Sequence, residues 1–504
     1  MSRPLVLCMI VLLWAVWVHR CHAAELSVDG SNLLHMDEGR EVDPQQSADY
    51  PHNRAYRSFF EDRLRLNIAY GDLSFGGRFL YFRPSAVDQR FFHVQSETGL
   101  DKRYIDAKVD PLSMRVGTFA DVFDYGLTLS LFEDRDLFFD SELDGVRFSL
   151  AKGPVSFTGL KGRSRARPGF LVAEEGVTGV HGEVVPKRGW KIGASYVHLD
   201  SSGYSEAFLP GVSGSALVGP VHLGGEYAWK ETDVGRKTVH GHAGYLETVI
   251  SVERYTLLLN YKDYQYRGWT PFQNPPLVSR EIGPRLLQFW EPHVFYPEDD
   301  VGYQAELSGP IGQYLVALIH FNQSSQHKVG QKGIAWPTLE ERNWPYWEFF
   351  ASGDVTWPSD WRLESEVGLN EEAQLQYWYK RHWITADAEA PLGKASSLLF
   401  GGEVLGIHDE RNDADFTDAL VLLGWDEGEH LSVEFQFQWT DDKTLQKKEG
   451  VSWPSVEAGY TFGEGRHRAI LFWGRERGGL KCSNGFCRRV QPFEGFRLIL
   501  ESTL

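Results

Sequence analysis

From Leu431 to Thr440 the chain reads LSVEFQFQWT, with Leu431, Val433, Phe435, Phe437 and Trp439 alternating against Ser432, Glu434, Gln436, Gln438 and Thr440. Strict alternation sends one set of side chains to each face of a strand. The run is about ten residues long, the length of a tilted strand crossing a bilayer. Ordinary soluble strands centre on about five or six. The pattern recurs at Trp361, Leu363, Val367 and Leu369 against Arg362, Glu364, Glu366 and Asn370, with Ser365 interrupting the apolar set. It recurs again at Phe496, Leu498 and Leu500 against Arg497 and Glu501. Beyond the first residues no apolar run is long enough to span a bilayer as a helix. A closed barrel is the remaining way to cross lipid with every backbone group paired.

Composition fits without deciding. The formal charge of −18, from 69 acids and 51 bases, argues against a nucleic-acid partner, which calls for basic patches. Aromatic residues make up 14 %, including 17 Trp and 21 Tyr, the types that form girdles at membrane interfaces. A negative mean hydropathy is compatible with a barrel, because only alternate residues face lipid.

The N-terminus has the shape of a secretory signal peptide over 1–24. Arg3 is followed by an uncharged apolar run from Leu5 to Val18 and by small residues near Ala23 and Ala24. Arg20 before Cys21 argues against a lipoprotein signal. Removing this segment leaves Cys482 and Cys487, in CSNGFC, as a candidate disulfide in an exported protein.

The remainder reads as a run of hairpins. An irregular N-terminal segment is expected over 25–54, and the barrel over 55–504. Roughly 20 strands are expected, within a range of about 18–22. Short links such as Gly71-Asp72 and Lys152-Gly153 alternate with long ones. The longest, Asp263–Asp300, carries Pro271, Pro275, Pro276, Pro284, Pro292 and Pro297 and is unsuited to a sheet centre. It either folds into the lumen or caps the outside. A second excursion lies within Met114–Leu150, where a strand ends, an aromatic and acidic segment follows, and a strand resumes. A pore constriction is expected there from Asp121, Asp124, Glu133, Asp134, Arg135, Asp136 and Asp140, favouring cations because acids outnumber bases. A structural turn bracing the wall, or a surface loop of a soluble sandwich, would use the same residues.

Four blocks resemble an uncharacterised family of bacterial outer-membrane β-barrel proteins. They are Arg103–Leu150, Gly225–Lys230 (GEYAWK), the Tyr261–Glu306 region, and Gly478–Thr503. The Gly117, Gly126 and Asp144-Gly145-Val146 pattern is similar, more distantly, to that of substrate-specific and polysaccharide-export porins. The resemblance implies an all-β fold, a closed antiparallel transmembrane β-barrel, and the bacterial outer membrane. It implies no catalytic residue and no substrate. Many chains of this kind end in an aromatic residue, whereas this one ends in Leu504.

The expected function is a porin-like channel or structural barrel, passing small polar solutes or glycans. The alternative is a secreted glycan-binding or glycan-cleaving β-protein. Expected partners are outer-membrane lipid and the barrel-assembly machinery; no cofactor, metal or catalytic group is expected. His240 and His242 share a strand face at metal-binding spacing, but two lumen or interface histidines are the plainer reading. Asp409, Glu410, Asp413, Asp415 and Asp418 lack the glycine spacing of an EF-hand loop. Glu364 and Glu366 face one side of a strand, as lumen wall does, rather than flanking a sugar.

Overall fold

Each strand pairs antiparallel with the next, and the last returns to the first, giving a closed ring of 24. The computed structural model describes residues 25–504 except 47, 166–171, 173, 202–205, 235–236, 269, 281–282, 291–297, 329, 331–333, 374–376, 394 and 484–485. Closure is made by Leu26–Val42 against Phe493–Thr503, in register from Ser31↔Thr503 to Glu41↔Phe493. A closed ring leaves no unpaired strand edge.

One end of the ring carries the tight turns, among them Tyr70 to Leu73, Lys152 to Val155 and Val252 to Tyr255. Gly71 and Gly153 sit there at φ 56° and 59°, the left-handed region that glycine enters at little cost. Residues 26 and 503 lie at this same end. The other end carries the long connections. Three of them leave the ring and fold as inserts: 120–142, the described residues of 266–299, and the hairpin Gly479–Ser483 with Phe486–Val490. The ring closes behind the first by pairing Phe119 with Leu143.

The pleat separates two environments. Outward positions are apolar and exposed, as at Phe435 and Phe437 and at Leu246, Val404 and Ile384. Exposed aromatics flank this band. Tyr70, Tyr255, Tyr314, Trp361 and Tyr460 lie toward the short turns, and Tyr56, Tyr227, Trp229 and Trp439 toward the long connections. Inward positions are polar or carry the packing of the inserts.

The all-β closed barrel is as the alternation implies, and the strand number is 24 rather than 18–22. The segment expected to be irregular, 25–54, is a correction: it contains a 17-residue wall strand, Leu26–Val42. Its outward face begins Leu26, Val28, Gly30, Asn32, Leu34 and Met36, so Gly and Asn break the apolar stripe. Its inward face carries Asp37 and Glu41, buried against Arg57, which reads as polar chain in one dimension. Residues 1–24, the expected signal peptide, lie outside the described residues.

Candidate functional site

The three inserts meet inside the long-connection end of the ring. In the first, the chain turns at Asp124 (φ 48°) and Gly126 (φ 83°), both left-handed. A Cβ on Gly126 would come within 2.7 Å of the Asn274 carbonyl, so glycine lets the first two inserts touch. There the Ser130 amide donates to the Phe272 carbonyl at 2.7 Å, and the Asn274 amide to the Gly126 carbonyl at 3.1 Å. The Leu127 carbonyl accepts from the Tyr266 hydroxyl at 2.6 Å and the Gln273 amide at 2.9 Å. The third insert docks through Arg488, whose guanidinium lies 3.7 Å from the centre of the Phe138 ring. The result is a plug held together by its own hydrogen bonds.

Apolar packing binds the plug to the inner wall. Phe123, Leu129, Leu131, Leu137, Phe139 and Phe272 cluster with the inward wall residues Leu160, Val177, Val197, Leu199 and Leu209. Leu286 and Leu287 cluster farther round the ring with Phe350, Trp383, Leu405 and Leu420. A fully buried leucine or phenylalanine contributes about 1.5–3 kcal/mol, so these contacts fix the plug as a core fixes a domain.

Charge supplies the specificity of docking. Several acids of the first insert meet basic side chains of the wall. Glu133 meets Arg78 at 2.5 Å and Lys102 at 2.8 Å; Asp140 lies 3.7 Å from Lys102, and Asp121 lies 2.5 Å from Arg147. Burial opposes ionisation of Glu133, but Arg78 and Lys102 hold its carboxyl well below the usual carboxylate range. Arg135 reaches Glu61 at 2.8 Å. The second insert is complementary to the far wall. Arg280 bonds Glu348 at 2.9 Å and Glu366 at 2.7 Å, and Arg285 bonds Asp387 at 3.2 Å and Glu403 at 3.1 Å. Trp290 donates its indole N–H to Asp418, which also binds Arg477 at 2.7 Å.

The seven residues expected at a constriction all belong to the first insert but do not form one acidic ring. Asp121 and Asp124 engage one part of the wall, and Glu133, Arg135 and Asp140 another. Asp134 caps a turn by accepting from the Leu137 amide at 3.1 Å, and Asp136 is exposed. Below the plug an open cavity of about 520 Å³ is lined by Arg65, Asn67, Tyr104, Arg115, Glu142 and Thr503.

The other candidates separate. His240 is exposed beside Glu231, while His242 lies 3.3 Å from Asp263. Asp409 caps the tight turn at Arg411 and Asn412, Asp415 binds His408, and Asp418 points into the lumen, so no single carboxylate loop exists there. Glu364 pairs with Arg362, and Glu366 is taken by Arg280 and the Trp383 indole. Cys482 and Cys487 are cross-strand partners in the third insert. The turn expected at Asn484-Gly485 lies outside the described residues. Arg280 and Arg285, missed from the sequence, sit in a proline-rich stretch without periodicity, where nothing marks one arginine above another.

A further cluster sits on the outer rim. His327 lies 2.5 Å from Asp299 and 3.1 Å from Asp263. Burial disfavours its charge, but the two carboxylates outweigh that and push the imidazole up to about 9. Trp336, from the same connection, packs against the outward rings of Tyr261 and Tyr303.

The model of a family of unknown function (DUF6029) matches residues 41–270 and 286–504. No curated protein sequence matches the chain. Among solved structures, the chain is similar to the P pilus usher (PapC) translocation pore, at 8 % identity and a TM-score of 0.49, covering 95 % of this chain and 99 % of that one. It is similar to the siderophore receptor PirA from Pseudomonas aeruginosa at 11 % identity and a TM-score of 0.46, covering 96 % and 81 %. It is also similar to a BenF-like porin from Pseudomonas fluorescens Pf-5 at 8 % identity and a TM-score of 0.41, covering 71 % and 96 %.

Proposed function

The chain belongs to this family of unknown function, and we propose that it is an integral outer-membrane barrel whose lumen is closed by a docked plug. The observation that carries the reading is the sorting of side chains across one closed ring. Apolar residues face out between two belts of Trp and Tyr, while ion pairs and the inserts are turned inward. Outward apolar surface on this scale is unfavourable in water and favourable against acyl chains. The short turns would face the periplasm and the long connections the exterior, after export by a cleaved signal peptide and insertion by the barrel-assembly machinery.

The barrel then serves passage of small polar solutes or glycans once the plug shifts. The first insert acts as a plug more than as a charge filter, because Asp121, Glu133 and Asp140 are matched by Arg147, Arg78 and Lys102. The secreted glycan-protein alternative has no observation in its favour, since the Glu364 and Glu366 side chains are bound to arginines. Carbonate and urea extraction of membranes, with gel migration before and after boiling, tests the reading. The protein stays in the membrane pellet and shifts mobility on boiling. Release by carbonate, or one mobility in both states, overturns it.

A further inference from the structure

One seam between plug and wall is built differently from the others. Strand Glu175–Lys187 turns His181 and Glu183 into the lumen, two residues apart on one face. The first insert brings Asp124 over them. One donor atom from each of the three lies within 4.8 Å of the other two, and Asp124 Oδ2 is 3.5 Å from His181 Nδ1. Four donors around a tetrahedral ion with bonds of about 2.0–2.1 Å stand roughly 3.3 Å apart, so small side-chain rotations bring this set onto one ion.

A second observation points the same way. Asp124 Oδ1, His181 Nδ1 and Ser213 Oγ are buried; His181 Nδ1 and Ser213 Oγ have no hydrogen-bond partner among the described residues, and Asp124 Oδ1 faces only the Lys191 ammonium, 3.3 Å away. The Asp124 side chain is only 2 % exposed. Buried polar atoms without a hydrogen bond are costly, and two of them converging beside a buried carboxylate call for a shared partner. The side chains of these three residues surround Gly193. A Cβ there would fall 2.4 Å from Ser213 Oγ and 3.2 Å from both Asp124 Oδ2 and His181 Cε1. Glycine keeps that pocket clear. The cation now nearest is the Lys191 ammonium, 3.3 Å from Asp124 and 2.8 Å from Glu183, on a side chain 39 % exposed to the lumen.

We propose that Asp124, His181 and Glu183 form a binding site for a borderline divalent metal ion, with Lys191 as the competing resident cation. One imidazole and two carboxylates suit zinc, manganese or cobalt, and the absence of a thiolate among them disfavours copper(I). The fourth position is left for Ser213 or solvent. Binding displaces Lys191 toward the lumen and ties the plug, through Asp124, to two wall side chains. The site stands whether or not the barrel conducts.

The test uses the full folded barrel in detergent, stripped with a chelator and titrated with zinc chloride by calorimetry. Cobalt chloride absorption reports imidazole and carboxylate ligation. Wild type binds one zinc ion per chain. H181Q and E183Q each weaken binding at least tenfold, and K191M, which removes the competitor and keeps the side-chain length, tightens it at least fivefold. G193A fills the pocket and weakens binding. Boiling-dependent gel migration confirms that each variant is folded, and E183Q replaces H181Q if the latter fails. No saturable site in wild type and K191M overturns the proposal. So does zinc binding unchanged by H181Q, which would place the ion elsewhere, or a K191M variant that binds no tighter.

Discussion

At the scale of single residues, the electrostatics give two expectations. His327 is raised to about 9 against an ordinary value near 6.5, so its charge is bound more tightly in the folded connection than in an open one. Its contribution is therefore complete below about pH 6.5 and is lost as pH rises through about 9. Amide exchange around Gln326–Lys328, where Asn343 donates to the His327 carbonyl at 2.9 Å, should accelerate between pH 8 and 10 beyond the intrinsic rate. In H327Q that additional step is absent; its persistence would show that another group drives the opening. Arg78 is the second case. Its side chain is 2 % exposed between Asp101, at 1 %, and Glu133, at 7 %. Removing one partner of such a buried set leaves carboxylates without compensation, at a cost of about 3–5 kcal/mol. R78M should lower resistance to urea unfolding by this order, and R78M/E133Q should recover part of the loss, as a shared network requires. Strict additivity of the two substitutions would separate them.

At the scale of elements, most of the wall was legible because a strand facing lipid on one side and water on the other writes its period into the sequence. The alternation is plain at Leu431–Thr440, Arg362–Ala373 and Phe493–Thr503. Leu26–Val42 escaped because its register is set by its neighbours, with Asp37 held by Arg57 and Arg497 from the strands on either side. Deleting 25–42 should abolish the boiling-dependent mobility shift, since the ring is left with two open edges; a variant that still shifts would mean the barrel closes without this strand. The inserts were visible as interruptions of the pattern, but their contacts were not. Glu133 meets Arg78 across 55 residues and Arg285 meets Glu403 across 118, separations no local pattern encodes. The metal-ligating seam failed to show for the same reason. His181 and Glu183 are two apart, but Asp124 reaches them only through the fold. Cys482 and Cys487 are opposed in a two-stranded hairpin, and cross-strand neighbours lie within the Cα separations a disulfide accepts. We expect them to be oxidised in protein recovered from membranes, adding up to about 3 kcal/mol for so small a loop. Thiol labelling without reductant should be below one tenth of that after reduction, and stoichiometric labelling of both would rule the bond out.

At the scale of the whole molecule, the question is what closes the mouth and what opens it. The wall alone is a closed ring of 24 strands. The inserts occupy its long-connection end through leucine and phenylalanine clusters on both sides of the ring. Their charges are opposite to those of the wall they meet, acids on Arg78, Lys102 and Arg147, arginines on Glu348, Glu366, Asp387 and Glu403. A filter would keep its acids free to meet passing ions; a plug commits them to the wall. The two roles predict different outcomes for one experiment. Replacing Glu133, Asp134 and Asp136 with their amides removes the Glu133 carboxylate shared by Arg78 and Lys102 and should weaken docking of the first insert. In planar bilayers the wild type is then expected to conduct little, and the triple variant to open more often, with its reversal potential in a salt gradient shifted toward anions by the exposed Arg78 and Lys102. Replacing 126–138 with a short glycine–serine link should raise conductance at least tenfold, because it removes the insert side chains that fill this end of the lumen. A wild type that conducts freely, with the same conductance after this replacement, would show that the insert braces the wall and obstructs nothing.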